Sequence, residues 1–126
     1  MGKLDGKIAL VTGAGQGVGQ GIAFALAQEG ARIAVTGRTL QKLEITCAEI
    51  RERGGEALAV QCDVKNPDSL QQCVESVVQH FGGINILVNN AQEVPLGKLL
   101  DVSDEAFNNG WNSGPLATFR LMKLCH

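Results

Sequence analysis

Short apolar runs alternate along this chain with longer stretches whose apolar residues recur at helical spacing. Residues 7–11 hold Ile8, Ala9, Leu10 and Val11 in unbroken succession. Residues 18–29 follow with Val18, Ile22, Ala23, Leu26 and Ala27 on one helical face, and Gly30 stands just past them. The unit then repeats. Residues 32–36 carry Ile33, Ala34 and Val35, and Thr39 is placed to cap a helix running to about residue 53 with Leu40, Leu43, Cys47 and Ile50 inward. Residues 57–61 form a third run. Asn66-Pro67-Asp68 then reads as an N-cap, a proline at the first helical position and an acid in the first turn. The helix after it extends to Phe81 with Leu70, Cys73, Val74, Val77, Val78 and Phe81 as its stripe, and residues 84–88 make a fourth strand.

Runs with so little internal alternation suit strands buried on both faces. Strands interleaved with helices of this length predict an α/β protein with a doubly wound, Rossmann-like parallel sheet in three αβα layers. Right-handed crossovers give the strand order 3-2-1-4, with a ligand expected at the carboxyl ends beside the switch point between strands one and four. Beyond Asn89 the texture changes. Residues 90–100 read as a loop, Ser103 as the cap of a short helix, and Gly114-Pro115 as the start of another with Leu116, Phe119, Leu121, Met122 and Leu124.

The densest chemical signal lies where the first strand meets the first helix. Thr12-Gly13-Ala14-Gly15-Gln16-Gly17-Val18-Gly19 turns a strand directly into a helix. Glycines let the backbone approach an anion with no Cβ in the way, and the helix start offers N–H groups and the positive end of a dipole. The turn is therefore expected to cradle a diphosphate.

Composition narrows the alternatives. The 126 residues are 44% hydrophobic and 19% charged, with 11 basic against 13 acidic residues. That is one domain, residues 1–126, with no basic stripe suited to nucleic acid. No apolar run is long enough for a membrane span, and no signal-type segment opens the chain. Cys47, Cys62, Cys73 and Cys125 form no C-x-x-C pair. They read as buried free thiols of a reducing, cytoplasmic setting rather than a disulfide frame or metal site. The adjacent Cys125 and His126 point about 100° apart on a helix and carry no weight as a reactive pair.

The glycine spacing departs from the general G-x-G-x-x-G fingerprint, which would need glycine where Val18 stands. What is present is T-G-x-x-x-G-x-G through Thr12, Gly13, Gly17 and Gly19. With Asp63-Val64 after strand three, Asn89-Asn90-Ala91 after strand four, and the helical pattern from Pro115 to Lys123, it resembles the short-chain dehydrogenase/reductase family in its N-terminal, cofactor-binding half.

The resemblance implies roles. Gly13, Gly17 and Gly19 shape the diphosphate turn, and Thr12 ties it to strand four. Gln16 and Val18 face the cofactor, Asp63 and Val64 flank the adenine, and Asn89 and Ala91 lie beside the riboses. The end of strand two selects between cofactors. An acid there holds the ribose hydroxyls of NAD, but this chain has Thr36-Gly37-Arg38-Thr39. Arg38 offers a fork of donors suited to a 2′-phosphate, so NADP(H) is expected before NAD(H).

It also implies an oxidoreductase that transfers hydride between NADP(H) and a carbonyl or alcohol substrate, working as a homo-oligomer. The family's acid/base tyrosine, with a lysine four residues on, is expected downstream of the last helix. These 126 residues contain no tyrosine. They are expected to bind cofactor without turning over, as an incomplete half of a longer parent. The alternative is a non-catalytic nucleotide-binding or interaction module. Three positions depart from the family pattern. Gln92 replaces a glycine, Asn85 stands where aspartate is common, and Gly114 falls where an active-site asparagine belongs. Asn112, two residues away, is the candidate helper in its place.

Overall fold

A computed structural model describes residues 2–91 and 97–125. Strands β1 (Ile8–Thr12), β2 (Arg32–Gly37), β3 (Ala57–Gln61) and β4 (Ile86–Val88) form one parallel sheet in the order β3-β2-β1-β4, as the periodicity predicts. Helices α1 (Gly17–Gln28), α2 (Leu40–Glu52) and α3 (Pro67–Phe81) are the crossovers. After β4 come a 3-10 turn at Leu99–Asp101, α4 (Asp104–Trp111), a π-helical turn at Asn112–Leu116 and α5 (Ala117–Cys125).

The pleat divides the core. Successive strand side chains point to opposite faces, so Ala9, Val11, Ile33 and Val35 pack with Ala23, Leu43, Cys47 and Ile50 on the α1–α2 side. Ile8, Leu10 and Ala34 pack with Leu70, Cys73, Val77, Ala117 and Leu121 on the α3–α5 side. Every residue of β1 is buried. Burying each of the larger aliphatic side chains contributes about 1.5–3 kcal/mol. The sheet's centre is thus its most rigid part, and β1 delivers Thr12 and Gly13 from it.

Several boundaries differ from expectation, for physical reasons. Strand β4 begins at Ile86, because at Asn85 the pairing with β1 is shared with a side chain. The Ile8 N–H donates to Asn85 Oδ1 at 2.9 Å, and the Asn85 N–H donates to the Ile8 carbonyl at 2.8 Å. A neutral amide oxygen therefore makes the tie at the position where aspartate is common in the family that the sequence resembles. Val18, expected inward, is 73% exposed, since the first turn of α1 stands beyond the end of the sheet. Leu40 and Val78, also expected inward, are exposed. Thr39 has extended backbone at the start of α2, but its side chain makes no cap hydrogen bond.

Gly114-Pro115 does not begin a helix. Both lie in the π-helical turn that joins α4 to α5 without a break. Proline has no N–H to give and clashes with the preceding turn, and widening the helix accommodates it. Asn66 and Ser103 cap as expected: Asn66 Oδ1 accepts from the Asp68 and Ser69 N–H groups, and Ser103 Oγ from that of Ala106. Gln92 and His126 lie outside the described residues.

Candidate functional site

All four strands end on the same side. Above those ends, an open cleft of about 410 Å³ is bounded by the β1–α1 turn, the start of α2, the β3–α3 connection, the end of β4 and the π-helical turn.

The turn is held from three directions. The Thr12 hydroxyl donates to the Val88 carbonyl at 3.3 Å and accepts the N–H groups of Asn90 and Ala91, both at 2.9 Å. Asn90 Nδ2 donates to the Gly13 carbonyl at 3.2 Å. The Ala14 N–H donates to the Thr36 carbonyl at 3.1 Å, and the Ala14 carbonyl accepts from Thr46 Oγ1 at 3.1 Å. Gly13 and Gly17 both sit at left-handed φ, 64° and 60°. A Cβ on Gly13 would come within 3.0 Å of Ala91 Cα, whereas one on Gly17 would enter open space. A Cβ on Gly19 would collide with the Gly13 carbonyl oxygen. One glycine is thus required for the turn's angle and packing, one for its angle beside the cleft, and one for the closeness of turn and helix.

The cleft is dominated by positive groups. Arg38, Lys42 and Lys65 line it, and Asp63 is the sole acid among its described lining residues. Lys42 Nζ donates to Gln16 Oε1 at 2.7 Å, linking the starts of α1 and α2. Neither helix has a side-chain cap or an acid in its first turn, whereas α3 and α4 have both. A lysine in the first turn of α2 opposes the helix dipole, a placement that an anion in the cleft would reverse. Asp63 is held by its own loop: Oδ1 accepts the Lys65 N–H at 3.0 Å, and its backbone N–H donates to Ser69 Oγ at 3.0 Å.

Of the residues singled out from sequence, the structure gathers Gly13, Gln16, Gly17, Arg38, Asp63, Val64 and Ala91 on the cleft wall. Thr12 and Gly19 are buried in the support of the turn. Val18 and Asn89 are exposed and lie off the wall. Asn112 opens the π-helical turn away from the wall. Ser113, the next residue of that turn, is 3% exposed and lines the cleft. The sequence alone assigns no role to Lys42, Lys65 and Thr46, nor to Asn90 within its motif. Lys42 had a signal, a cation one turn after Arg38 at a helix start. Thr46 had none.

The chain matches the short chain dehydrogenase family over residues 7–126. A versicolorin reductase of Emericella nidulans is 40% identical over 107 residues, covering 84% of this chain and 40% of that protein. A short chain dehydrogenase from Burkholderia cenocepacia, solved in complex with NADP, superposes with a TM-score of 0.92 at 34% identity, covering 98% of this chain and 51% of that one. A variant of actinorhodin polyketide ketoreductase with NADPH gives 0.92 at 35%, covering 99% and 48%. The chain thus spans about half the length of these relatives.

Proposed function

Since this chain belongs to the short chain dehydrogenase family, we propose that it supplies the NADP(H)-binding half of an oxidoreductase acting on a carbonyl or alcohol substrate. One observation carries the reading. A glycine turn, two helix starts without side-chain caps, and Arg38, Lys42 and Lys65 converge on one cleft at the carboxyl ends of a parallel sheet.

The residues present fit the group. The open space beside Gly17 and the N–H groups at the start of α1 suit a diphosphate. Arg38 and Lys42, on the β2–α2 side, suit the 2′-phosphate. Asp63 and Val64 suit the adenine, with the carboxylate accepting from its amino group. When bound, the nicotinamide supplies or takes the hydride. This chain's own part is to hold the dinucleotide and fix its direction across the sheet. NADP-bound and NADPH-bound relatives support the choice of cofactor.

These 126 residues have no tyrosine to exchange the substrate proton, so on their own they bind cofactor without turnover. Three buried free thiols suit a reducing, cytoplasmic setting.

Calorimetric titration with NADPH and NADH tests the assignment. NADPH is expected to bind more tightly. Arg38→Ala should cost NADPH roughly 10- to 100-fold in affinity, the range for a charge-assisted phosphate contact, and leave NADH nearly unchanged. Equal affinities for the two cofactors would remove Arg38 from this role.

A further inference from the structure

Helices α1 and α2 are joined beside the cleft by two polar rungs, one helical turn apart. At the mouth, Lys42 Nζ donates to Gln16 Oε1 at 2.7 Å. Deeper, Gln20 Nε2 donates to Thr46 Oγ1 at 3.1 Å, and the same hydroxyl donates to the Ala14 carbonyl at 3.1 Å. Gln16, at the cap position of α1, and Gln20 are four residues apart, as are Lys42 and Thr46 on α2. That spacing stacks side chains on one helical face. The backbone packs as closely as the side chains. A Cβ on Gly15 would come within 3.1 Å of Lys42 Cβ, so this glycine lets the turn lie directly against the first turn of α2.

We propose, on the basis of the NADP(H) site assigned above, that Lys42 selects for the 2′-phosphate and that Gln16 is its positioning residue. Gln16 holds the ammonium at the cleft mouth before the phosphate arrives. A lysine side chain has many rotamers, and ordering it on a ligand costs affinity. The helix dipole also disfavours a cation in the first turn. The Gln16 oxygen offsets both costs in the absence of ligand. It is neutral, so it leaves the full positive charge of Lys42 for the phosphate. An ammonium has three donors, and Gln16 takes one of them, which leaves two for phosphate oxygens. The deeper rung sets the spacing. Thr46 ties α2 to the Ala14 carbonyl, so the group that reads the 2′-phosphate stands at a fixed distance from the turn that holds the diphosphate.

The test uses two fragments of the cofactor, adenosine 2′,5′-bisphosphate and adenosine 5′-monophosphate, titrated calorimetrically into the folded chain. Their affinity ratio reports the 2′-phosphate. Lys42→Met should lower the ratio about tenfold, the low end for a charge-assisted contact. Gln16→Ala, with Lys42 intact, should lower it about three- to fivefold, the cost of ordering a long side chain on binding. The double variant should be no worse than Lys42→Met alone, because Gln16 acts only through Lys42. Gln20→Ala breaks the deeper rung without touching the ammonium and should leave the ratio nearly unchanged. Circular dichroism of each variant checks that the fold is kept. Additive losses in the double variant, or an equal loss from Gln20→Ala, would overturn the pairing, and a ratio that still falls in Arg38→Ala would then keep the proposed cofactor. Equal affinity of the two fragments for the unaltered chain would overturn both.

Discussion

At the scale of single residues, the three glycines of the turn differ in what they tolerate. A side chain at Gly19 meets the Gly13 carbonyl, and backbone cannot move aside as a flexible side chain can. Gly19→Ala is expected to cost about 1–3 kcal/mol, read as a lower midpoint in urea or thermal unfolding. Gly17→Ala carries only the left-handed backbone cost of about 1–2 kcal/mol. Its methyl group enters the cleft, so it should weaken NADPH binding by more than its stability loss suggests. A similar affinity loss in both variants, in proportion to stability, would deny the turn a contact with the cofactor. Thr12 is the residue whose loss should be felt most widely. Its hydroxyl receives two N–H groups and donates to a third residue's carbonyl, all within the β1–β4 join. Thr12→Val keeps the shape and leaves those groups unpaired. A cost of at least about 2 kcal/mol is expected, from about 1–3 kcal/mol for each unsatisfied buried group. Amide exchange should report it, with lost protection at Asn90 and Ala91.

At the scale of elements, helix starts show how stability and binding trade against each other. α3 is closed by Asn66, and Asn66→Ala should cost about 1 kcal/mol with no effect on NADPH affinity, because that cap lies off the cleft wall. α1 is the reverse case. Gln16 has the extended backbone of a cap residue but makes no side-chain cap. Gln16→Asp should stabilise the helix by about 0.5–1 kcal/mol in thermal unfolding while weakening NADPH binding, since the new carboxylate occupies the N–H groups that the diphosphate needs. If affinity held or rose, the diphosphate would have to sit elsewhere. The same contrast explains what could be read from sequence. The strands and crossover helices were legible because Ile8 to Val11 and the stripe from Leu70 to Phe81 have one period each, and Asn66 and Ser103 have one evident use. The inward placement of Val18 was misjudged because periodicity cannot show that α1 starts beyond the sheet. The join between α4 and α5 was illegible because a Gly-Pro pair signals a break locally, and only packing of Ala117 and Leu121 into the α3 side of the core keeps the chain helical through it. In the site, the structure gathers Gly13, Gln16, Gly17, Arg38, Asp63, Val64 and Ala91 on the cleft wall and leaves Val18 and Asn89 off it, while Thr46 and Ser113 occupy places that three-dimensional packing alone assigns.

At the scale of the whole molecule, the sheet has β1 at its heart and β4 at one edge, paired only with β1 among the described residues. The helices that follow β4 leave a large apolar surface uncovered: Phe107 and Trp111 on α4, and Phe119, Met122 and Leu124 on α5, are all exposed. Ala117 and Leu121 are buried against α3, so the face of α5 that carries them serves the core, while the face that carries Phe119 and Met122 does not. Exposed aromatics gathered on two consecutive helices go beyond the scattered apolar residues of a monomer's surface. A free strand edge adds unpaired N–H and carbonyl groups that another chain can meet. Both features lead to the same expectation: this chain self-associates. Sedimentation velocity across a tenfold concentration range should show the apparent mass rising with concentration. Phe119→Glu, which places a charge on the uncovered face and leaves Leu121 in the core, should shift the population toward monomer without changing the circular dichroism spectrum. Dye binding to exposed apolar surface should be highest in dilute solution, where association is least. A monomer at every concentration, with no dye binding and an unchanged profile in Phe119→Glu, would mean that the face of α5 turned away from the core needs no partner.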